Sequence, residues 1–294
     1  MTTFSVIIPT LKRPQPLLET LTSIASCEPA PIEVIVVDGD LDSESGAEPT
    51  ERRFDYPITW LRSEKSTTKQ RNLGIDNAQG DVVVFLDDDV RVPANALAVL
   101  ESAFRDPGVV AVTGRINEPG LKRFGAMNSK IRRLLIGGGR EGTFTRFGYP
   151  RYLLDLDRQI DVEFMRGCFM AARRELAARV RFDERMGGYA LAEDEDFSYR
   201  LSRLGRLVYR PDIVIEHKKL GFRSYNARAF GRLVVRNRAY FFRKNFRQTP
   251  LARAQFAGFL FLLVVHRLIN REGAGALGVI EGCIDLLPRR RLCE

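Results

Sequence analysis

The sequence has few of the residues that build structural metal sites and disulfide frameworks. It contains only two histidines, and its four cysteines are far apart and form no CxxC pair: Cys27, Cys168, Cys283 and Cys293. Neither a structural zinc site nor a disulfide scaffold is therefore predicted. The first residues also lack the basic stretch and the cleavage site of a signal peptide. These absences favour a reducing, cytoplasmic location.

Motifs that mark several other classes of protein are missing as well. There is no GxxxxGK(S/T) stretch, which argues against a P-loop nucleotide site. There is also no zinc finger, RRM-like block or other recognised nucleic-acid-binding module. The sequence therefore predicts no nucleic-acid partner.

Positive charge is concentrated near the carboxyl terminus. Residues 197–294 hold 20 Lys or Arg and 6 Asp or Glu, whereas residues 1–196 hold 26 and 31. A basic tail on a mildly acidic body indicates an anionic partner such as a membrane surface, a nucleic acid or a phosphorylated substrate. The length of 294 residues fits one sizeable domain with an appendage, or two small domains.

One apolar stretch is followed by three consecutive acids. Val82–Leu86 is an unbroken apolar run rich in β-branched residues, which predicts a strand buried on both faces. Asp87, Asp88 and Asp89 follow it, at the sheet edge where ligands bind in open α/β folds. Strand alternation places Asp87 and Asp89 on one side, a pair of oxygen ligands suited to Mg²⁺ or Mn²⁺. A solvated acidic turn is the alternative.

Strands and helices alternate along the chain before these acids. The predicted elements are strands at 4–8, 32–37 and 59–61 and helices at 15–26 and 66–78. Further predictions are a helix at 94–104, strands at 109–116, 164–171 and 208–217, and a loop at 117–160. This order is typical of the α/β class with a parallel, doubly wound sheet. Asp38 ends the second strand, where it can reach a nucleotide or simply form a turn with Gly39 and Asp40.

Four ordered blocks resemble the nucleotide-sugar half of family 2 glycosyltransferases. They are Phe4–Arg13 (FSVIIPTLKR), Glu33–Gly39 (EVIVVDG), Lys69–Ile75 (KQRNLGI) and Phe85–Asp89 (FLDDD). Their order and spacing are more specific than any single block, and the similarity covers roughly residues 4–217. The resemblance implies the GT-A fold, a Rossmann-like, mainly parallel sheet with a metal-binding DxD motif.

The resemblance also implies a donor site for a UDP-, TDP- or GDP-sugar. The residues implied to bind the donor nucleotide are Pro9, Thr10, Arg13, Asp38, Arg71, Asp87 and Asp88. Asp87 and Asp89 would be the DxD pair, with Mn²⁺ or Mg²⁺ as the cofactor. A histidine in the position of His217 commonly helps to bind the metal or the diphosphate in this family, although a lone histidine at a strand end is otherwise structural or exposed.

A second acidic cluster, Glu193–Asp196, begins a predicted helix. Acids at a helix N-terminus interact favourably with the helix dipole, so a structural role is one interpretation. The stretch also resembles the ED motif of the family, which implies that Asp194 is the general base and Glu193 the second catalytic residue. A base acting opposite the leaving group gives inversion at the anomeric carbon. On the acceptor side the resemblance places Gly167 and Cys168, although Gly167 can instead serve close backbone packing.

Related classes are distinguished by motifs that this chain lacks. A processive polysaccharide synthase would carry QxxRW after the ED motif, and a sugar nucleotidyltransferase would begin with a GGxGTR-like loop; neither is present. A single-transfer, metal-dependent, inverting glycosyltransferase is therefore predicted. The alternatives are a catalytically inactive sugar-nucleotide-binding relative and a basic protein that binds nucleic acid or membrane.

The chain beyond residue 220 is predicted to be a basic helical region. Arginines recur there at steps of four and seven among apolar residues: Arg228, Arg232, Arg236, Arg243 and Arg247. Such an amphipathic helix can lie on anionic lipid, or it can pack on the core with its arginines in water. The uncharged stretch 256–265 is predicted to be too short to span a bilayer.

These observations divide the chain into two predicted domains. Residues 1–220 form the GT-A domain, with a nucleotide-sugar half at about residues 1–116 and an acceptor half at about 117–220. Residues 221–294 form the basic helical region. The protein is expected in the cytoplasm, peripheral on the inner face of the cytoplasmic membrane, with a cell-envelope, exopolysaccharide or lipid-linked glycan as acceptor.

Overall fold

The computed structural model describes residues 1–41, 54–118, 139–153, 156–186, 191–218 and 226–287. The chain forms two compact units. Unit 1 covers the described parts of residues 1–121, 141–143 and 152–220, and unit 2 covers those of residues 122–140, 144–151 and 221–294. Residues 144–151, which the sequence assigns to the acceptor half, belong to unit 2. The domain boundary between residues 220 and 221 stays a prediction.

Unit 1 is built on a sheet that has nine strands within the described residues. The strands are β1 (Phe4–Thr10), β2 (Glu33–Asp38), β3 (Ile58–Arg62), β4 (Val82–Leu86), β5 (Val90–Arg91), β6 (Val109–Asn117), β7 (Ile160–Val162), β8 (Phe169–Arg173) and β9 (Arg206–His217). Their order is β3-β2-β1-β4-β8-β6-β9-β5, and β7 pairs with β9. The first four strands in this order are parallel, whereas β8 is antiparallel to β4 and β6. The predicted α/β class is confirmed. Each antiparallel strand pair includes a strand that follows β4 in the sheet order, such as β8 or β9.

Helices cover both faces of this sheet. They are α1 (Pro14–Ile24), α2 (Thr67–Asn77), α3 (Ala96–Phe104), α4 (Arg174–Val180) and α5 (Glu193–Leu201). Val6, Val34 and Val84 pack with α1 and α3 on one face. Ile7 and Phe85 pack with α2, α4 and α5 on the other. Because neither face meets water, the strands are continuous apolar runs.

Helix α2 lies very close to β1. A Cβ atom at Gly74 would come within 2.3 Å of Ile7 Cγ2, so only glycine allows this approach. The close packing holds the first turns of α2, which carry Gln70 and Arg71, against the sheet.

Strand β8 begins later than the sequence predicts. The apolar run at 164–171 predicts a strand interrupted at Gly167, but β8 starts at Phe169. The N–H of Gly167 donates to Asp194 Oδ2 and its carbonyl accepts from Arg71, so this backbone is not available to pair with a strand. Of the predicted loop at 117–160, residues 119–138 and 154–155 lie outside the described residues, and Ile160 begins β7.

Unit 2 contains three helices in the part of the chain that the structure describes. They are α6 (Ala227–Asn245), α7 (Pro250–Ile269) and α8 (Gly273–Asp285). Asn226 and Thr249 cap α6 and α7, because their side chains accept hydrogen bonds from backbone N–H groups of the first turn. The core of the unit includes Phe147, Val235, Phe242, Phe256, Leu260 and Val279.

Helix α7 is longer than the apolar stretch from which it was predicted. The uncharged stretch 256–265 has ten residues, whereas the helix extends beyond it at both ends and includes Arg253 and Arg267. It has 20 residues and is the one helix in the described ranges that is long and apolar enough, by length and composition alone, to cross a membrane. The prediction that this segment is too short is therefore wrong. In the most apolar 18-residue stretch of α7, 17% of the residues are buried.

Candidate active site

The carboxyl ends of β1 and β2 lie side by side in unit 1. Thr10 and Asp38 are partners in the register of these two strands. Gln70 donates to the carbonyls of Thr10 and Val37 at 2.9 and 2.7 Å and so fixes both strand ends to α2. Asp38 Oδ1 accepts from the Asp40 backbone N–H at 2.9 Å, so a side-chain-stabilised turn follows β2.

Asp88 contacts the end of β1 and the start of α1. Its carboxylate accepts from Thr10 Oγ1 at 2.7 Å and from Arg13 Nη1 at 2.9 Å. Arg13 Nη1 also lies 3.1 Å from Asp89 Oδ2. Burial raises the pKa of Asp88, and the contacts with Thr10 and Arg13 act in the opposite direction. Asp88 therefore ties β1 to the acidic end of β4.

Asp87, Asp89 and His217 form a group of potential metal ligands. One donor atom from each residue lies within 4.8 Å of the other two. His217 Nε2 is 3.2 Å from Asp89 Oδ1 and 4.0 Å from Asp87 Oδ2. Pairing of β9 with β5, directly after the acids, brings His217 to this place. Two carboxylates and one imidazole fit a divalent ion such as Mn²⁺ or Mg²⁺.

A buried carboxylate lies behind His217. The Glu118 side chain is 2% exposed, and its Oε2 atom is 3.8 Å from His217 Nδ1 and 2.5 Å from Arg166 Nη2. The first distance is too long for a hydrogen bond, so Glu118 acts on the imidazole through its charge. Burial lowers the pKa of His217, but its contacts with Asp89, Glu118 and Asp87 outweigh burial and raise the pKa to about 9.

We expect the affinity of this group for Mn²⁺ to rise with pH. A metal ion binds the neutral imidazole, so it must displace a proton from His217 at any pH below about 9. In the metal-free protein, protonated His217 stabilises the fold below its ordinary pKa of 6.5, and this contribution is lost as the pH rises through about 9. Calorimetric titration with Mn²⁺ between about pH 6 and pH 8 should show affinity rising about tenfold per pH unit.

The second histidine of the chain provides the control for this titration. His266→Asn should keep the affinity and the pH slope of the wild type, because the group of potential ligands consists of Asp87, Asp89 and His217 and does not include His266. His217→Asn should bind Mn²⁺ more weakly and with a flatter pH dependence. An unchanged slope in His217→Asn would contradict the assignment of His217 as a ligand.

Arg71 connects the two acidic clusters. Its side chain is 2% exposed, with Nη2 3.2 Å from Asp87 Oδ1 and Nη1 3.0 Å from Glu193 Oε1. Nη2 also donates to the Gly167 carbonyl at 2.9 Å, and the guanidinium carbon lies 5.2 Å from the centre of the Phe182 ring. Arg71 therefore fixes the strand-end acids relative to α5, and its burial leaves little of its surface for a ligand.

Asp194 lies in the first turn of α5 and is partly exposed. Its Oδ2 atom accepts from the Gly167 N–H and its Oδ1 atom from the Glu195 N–H, both at 2.8 Å. A Cβ atom at Gly167 would lie 3.3 Å from Asp194 Oδ2 and 3.2 Å from Arg71 Nη2. Close packing, one of the two roles considered for Gly167, is therefore a real constraint at this position.

The residue before this helix has an unusual backbone conformation. Ala192 is buried and has a φ angle of +71°, in the left-handed region that a residue with a Cβ atom seldom adopts. Such a conformation costs on the order of 1 kcal/mol and persists where surrounding contacts hold it. It sets the direction in which α5 begins, and hence the position of Asp194 beside Gly167.

Glu193 differs from Asp194 in its surroundings. Burial raises the pKa of Glu193, the charge of Asp194 raises it further and Arg71 lowers it, with a result of about 8. Its Oε2 atom is buried without a hydrogen-bond partner among the described residues. Two adjacent carboxyl groups in such different environments are suited to different tasks. Asp194, by contrast, is partly exposed, and its carboxylate accepts two backbone N–H bonds.

An unbroken series of contacts joins nearly all the residues that the sequence singled out. It runs from Asp38 through Thr10, Asp88, Arg13, Asp89, His217 and Asp87 to Arg71. Arg71 contacts both Glu193 and Gly167, and Gly167 binds Asp194. Pro9 precedes Thr10 in the buried strand β1. Cys168 is buried, which raises the pKa of its thiol, and its carbonyl accepts from the Asp87 N–H at 3.4 Å.

Sequence reasoning missed two residues of this region. Gln70 lies inside one of the four resembling blocks, beside Arg71, and that position was an available signal. Glu118 follows a strand in a segment without a recognised motif, and no local signal marks it.

The acids at the end of β4 and the carboxylate pair on α5 lie where the resemblance to family 2 glycosyltransferases implies the DxD and ED motifs, and Arg71 links the two. Comparison with sequence families agrees with this class, because the model of Glycosyl transferase family 2 matches residues 5–181. That match covers more than half of the chain, and the chain belongs to this family. The resemblance drawn from the four blocks is confirmed.

One curated relative shares a more limited region. The chain is 34% identical to the succinoglycan biosynthesis protein ExoM of Rhizobium meliloti (strain 1021) over 113 residues. The match covers 36% of this chain and 36% of ExoM, so it spans about a third of the relative's length.

Solved structures resemble the chain over much more of its length. S. aureus TarS 1–349, in complex with UDP-GlcNAc, matches with a TM-score of 0.56 and 18% identity over 88% of this chain and 71% of that chain. The mannosyltransferase PcManGT from Pyrobaculum calidifontis, in complex with GDP-Man and Mn²⁺, matches with a TM-score of 0.56 and 21% identity over 99% of this chain and 88% of that chain. At these identities the likeness establishes the fold, and it confirms the predicted GT-A architecture.

Proposed function

We propose that this glycosyltransferase moves one sugar from a nucleoside-diphosphate sugar to an acceptor hydroxyl, with inversion at the anomeric carbon. The observation that carries the proposal is the position of Gly167. Its N–H binds Asp194, and its carbonyl binds Arg71, which in turn contacts Asp87. Three contacts, through Gly167 and Arg71, thus join the proposed base to the donor-side acids and hold them in a fixed relative position.

In the proposed reaction Asp194 acts as the general base. The acceptor oxygen attacks the anomeric carbon from the face opposite the leaving group, and its proton passes to the Asp194 carboxylate. The bond between the anomeric carbon and the diphosphate oxygen breaks, and the nucleoside diphosphate leaves with the electron pair. Glu193 is assigned a positioning role, because its buried carboxyl group contacts Arg71 at 3.0 Å.

Asp87, Asp89 and His217 are the residues proposed to hold a divalent ion, Mn²⁺ or Mg²⁺. Such an ion, when bound, supplies positive charge that stabilises the leaving diphosphate. The chain prepares this site by fixing both carboxylates, since Arg71 contacts Asp87 and Arg13 contacts Asp89. The PcManGT complex contains Mn²⁺, which supports the proposal.

The proposed donor is a UDP-, TDP- or GDP-sugar. Pro9, Thr10 and Asp38 at the ends of β1 and β2 would face the base and ribose, with Arg13 and Asp88 toward the diphosphate. TarS is in complex with UDP-GlcNAc and PcManGT with GDP-Man, which supports a nucleotide sugar as the class of donor. The glycosyl group proposed to be transferred is a hexosyl or deoxyhexosyl group. No nucleic-acid partner is proposed.

The proposed acceptor is a glycan of the cell envelope, an exopolysaccharide or a lipid-linked precursor. The similarity to a protein named for succinoglycan biosynthesis supports this class. Gly167 and Cys168 are proposed to border the acceptor. We place the protein in the cytoplasm, as a peripheral protein on the inner face of the cytoplasmic membrane, because the carboxyl-terminal region is strongly basic.

A thermal-shift screen tests the donor site. UDP, TDP, GDP and CMP are each added with Mn²⁺, Mg²⁺ or EDTA to the wild type and to Asp89→Ala. One nucleoside diphosphate should raise the Tm by several degrees with metal and not with EDTA, because saturating ligand adds about 2–3 kcal/mol to the folded state. Asp89→Ala should abolish the shift.

Glu216→Ala is the matched control for this screen. Glu216 is an exposed acid next to His217, so its loss should leave the shift intact. If no nucleotide stabilises the wild type under any metal condition, the donor-site proposal is wrong.

A further inference from the structure

The outward side of α7 in unit 2 is apolar. Four exposed, uncharged positions on this side repeat at helical spacing: Ala254, Ala257, Phe261 and Leu268. Arg253, which is also exposed, borders them. Phe261 is 68% exposed. The opposite side of the helix is buried in the unit through Ala252, Phe256 and Leu260. Single exposed apolar residues are ordinary, but a whole uncharged side of a 20-residue helix marks a binding surface.

Helix α8 presents a second apolar row beside the first. The row consists of Leu277, Ile280 and Ile284 on the helix and Leu287 just after its end, and Ile284 is 60% exposed. An open groove of about 820 Å³ lies between the two helices, and part of each row lines it: Ala257 and Phe261 of the first, and Ile280, Ile284 and Leu287 of the second. Its lining includes Phe256, Phe261, Val264, Ile280, Ile284 and Leu287. This volume falls within the roughly 300–1,000 Å³ that ligand-binding sites occupy.

Basic residues border the groove near the connection from α6 to α7. Arg243 and Arg253 line it, and Lys244 and Arg247 are exposed in the same stretch. Residues 226–287 contain ten Lys or Arg and three Asp or Glu. The three acids form ion pairs with other arginines: Glu281 with Arg228, Asp285 with Arg232 and Glu272 with Arg267. The positive charge at the groove is thus not balanced by these acids.

The exposed apolar surface is not on the helix that the sequence indicated. Helix α6 carries the predicted basic and apolar pattern, but its apolar side is buried, including Val235, Phe241 and Phe242. Its Arg228 and Arg232 pair with acids of α8. A surface that combines exposed apolar residues with positive charge is instead formed by α7, α8 and the carboxyl end of α6.

We propose that this α7–α8 face docks on an anionic phospholipid bilayer, with the groove receiving a lipid acyl chain and Arg243 and Arg253 contacting the phosphate. Charge complementarity favours this occupant, because a second copy of the unit would bring the same unbalanced arginines to the interface. The unit lies in the interface and does not span the bilayer, since the other side of α7 is packed inside the unit. The inference rests on the membrane location in the proposed function.

Vesicle flotation of the full-length protein tests the docking face. The wild type should float with vesicles of phosphatidylcholine and phosphatidylglycerol, weakly with phosphatidylcholine alone, and less as salt is raised. The double variant Phe261→Glu/Ile284→Glu should lower the partition coefficient by about tenfold or more. Arg243→Gln/Arg253→Gln should lower it by about fivefold for each arginine and weaken its dependence on salt.

Matched controls come from unit 1. Leu204→Glu/Val214→Glu changes two exposed apolar residues there, and Arg105→Gln/Arg179→Gln changes two exposed arginines. Both should float like the wild type. Unchanged flotation of Phe261→Glu/Ile284→Glu, or failure of the wild type to float, would overturn the proposal. So would a wild-type dimer in light scattering that Phe261→Glu dissociates, or membrane attachment that only detergent releases.

The donor screen on the same variants separates this inference from the proposed function. Phe261→Glu/Ile284→Glu and Arg243→Gln/Arg253→Gln should keep the metal-dependent rise in Tm with nucleotide. This rise also shows that the variants are folded. A wild type that binds nucleotide but no vesicle refutes the docking face alone. A wild type that floats but binds no nucleotide refutes the donor site and leaves the docking face standing.

Discussion

Replacement of Asp194 by asparagine is expected to lower kcat by about 10²- to 10⁴-fold, the range that general-base catalysis contributes. Asparagine is nearly isosteric, and its amide oxygen can still accept the Gly167 N–H bond that spans 2.8 Å in the wild type, while the Glu195 N–H loses its acceptor. The amide cannot take a proton from the acceptor hydroxyl. Because the loss falls on the chemical step, the donor KM should change far less than kcat. Steady-state turnover with the donor class identified by thermal shift measures both.

A matched acid on another helix controls for this substitution. Glu175 is the second residue of α4, as Asp194 is of α5, and it is exposed. Glu175→Gln should therefore keep wild-type turnover. If Asp194→Asn turns over at the wild-type rate while its nucleotide-induced Tm shift is intact, another group is the base.

The first half of the sheet could be predicted because local sequence and tertiary structure agree there. Strands β1, β2 and β4 are buried on both faces, so each is a continuous apolar run. Each run stops at polar residues that the parallel arrangement brings to one edge. The position of Asp87, Asp88 and Asp89 directly after a strand could therefore be predicted from the sequence alone.

The roles of the polar residues could not be predicted in the same way. Arg71 and Glu193 are 122 positions apart, and Arg166 and Glu118 are 48 apart. Hydrophobic periodicity, which is read over short stretches of sequence, does not reveal contacts between residues so far apart. The sequence placed Arg71 near the nucleotide pocket through a resemblance alone, whereas its contacts make it the link between two acidic clusters.

The carboxyl-terminal helices illustrate a different limit. An amphipathic pattern predicts that a helix has an apolar side but not what that side meets. In α6 the apolar side meets α8, and the two helices are so close that a Cβ atom at Gly278 would lie 1.9 Å from the Arg228 carbonyl oxygen. The exposed apolar face belongs to α7 and α8. For α7 the sequence supported only a prediction about the length of its uncharged stretch.

Arg71→Met is expected to cost about 3–5 kcal/mol of unfolding free energy, the usual effect of removing one partner from a buried ion pair. The substitution leaves Glu193, Asp87 and the Gly167 carbonyl without the guanidinium that contacts all three. Urea unfolding measures the change. Arg206→Met is the control, because Arg206 is 48% exposed and its ion pairs with Asp106 and Asp161 should contribute no more than about 1 kcal/mol.

A second substitution should rescue much of this loss. The rescue is expected at about pH 9, above the pKa of about 8 of Glu193. There Arg71→Met/Glu193→Gln replaces the buried carboxylate with a neutral amide, so the unpaired charge disappears along with its partner. Both residues already hold a buried atom without a hydrogen-bond partner, Arg71 Nε and Glu193 Oε2, among the described residues. The pair is therefore imperfectly satisfied, and the double variant should recover more than half of the stability lost in Arg71→Met.

The pH dependence of the Arg71→Met defect follows from the titration of Glu193. Its pKa is raised from 4.5 to about 8 in the folded protein, so its contribution to stability is fully present below about pH 4.5 and is lost as the pH rises through about 8. Arg71 limits that loss because it stabilises the charged form. The cost of Arg71→Met should accordingly grow from about pH 5 to about pH 9, whereas the cost of Arg71→Met/Glu193→Gln should stay level. A defect that is the same at both ends of this range, with or without Glu193→Gln, would mean that Arg71 stabilises the protein through its contacts with Asp87, Gly167 and Phe182 and not through the charge of Glu193.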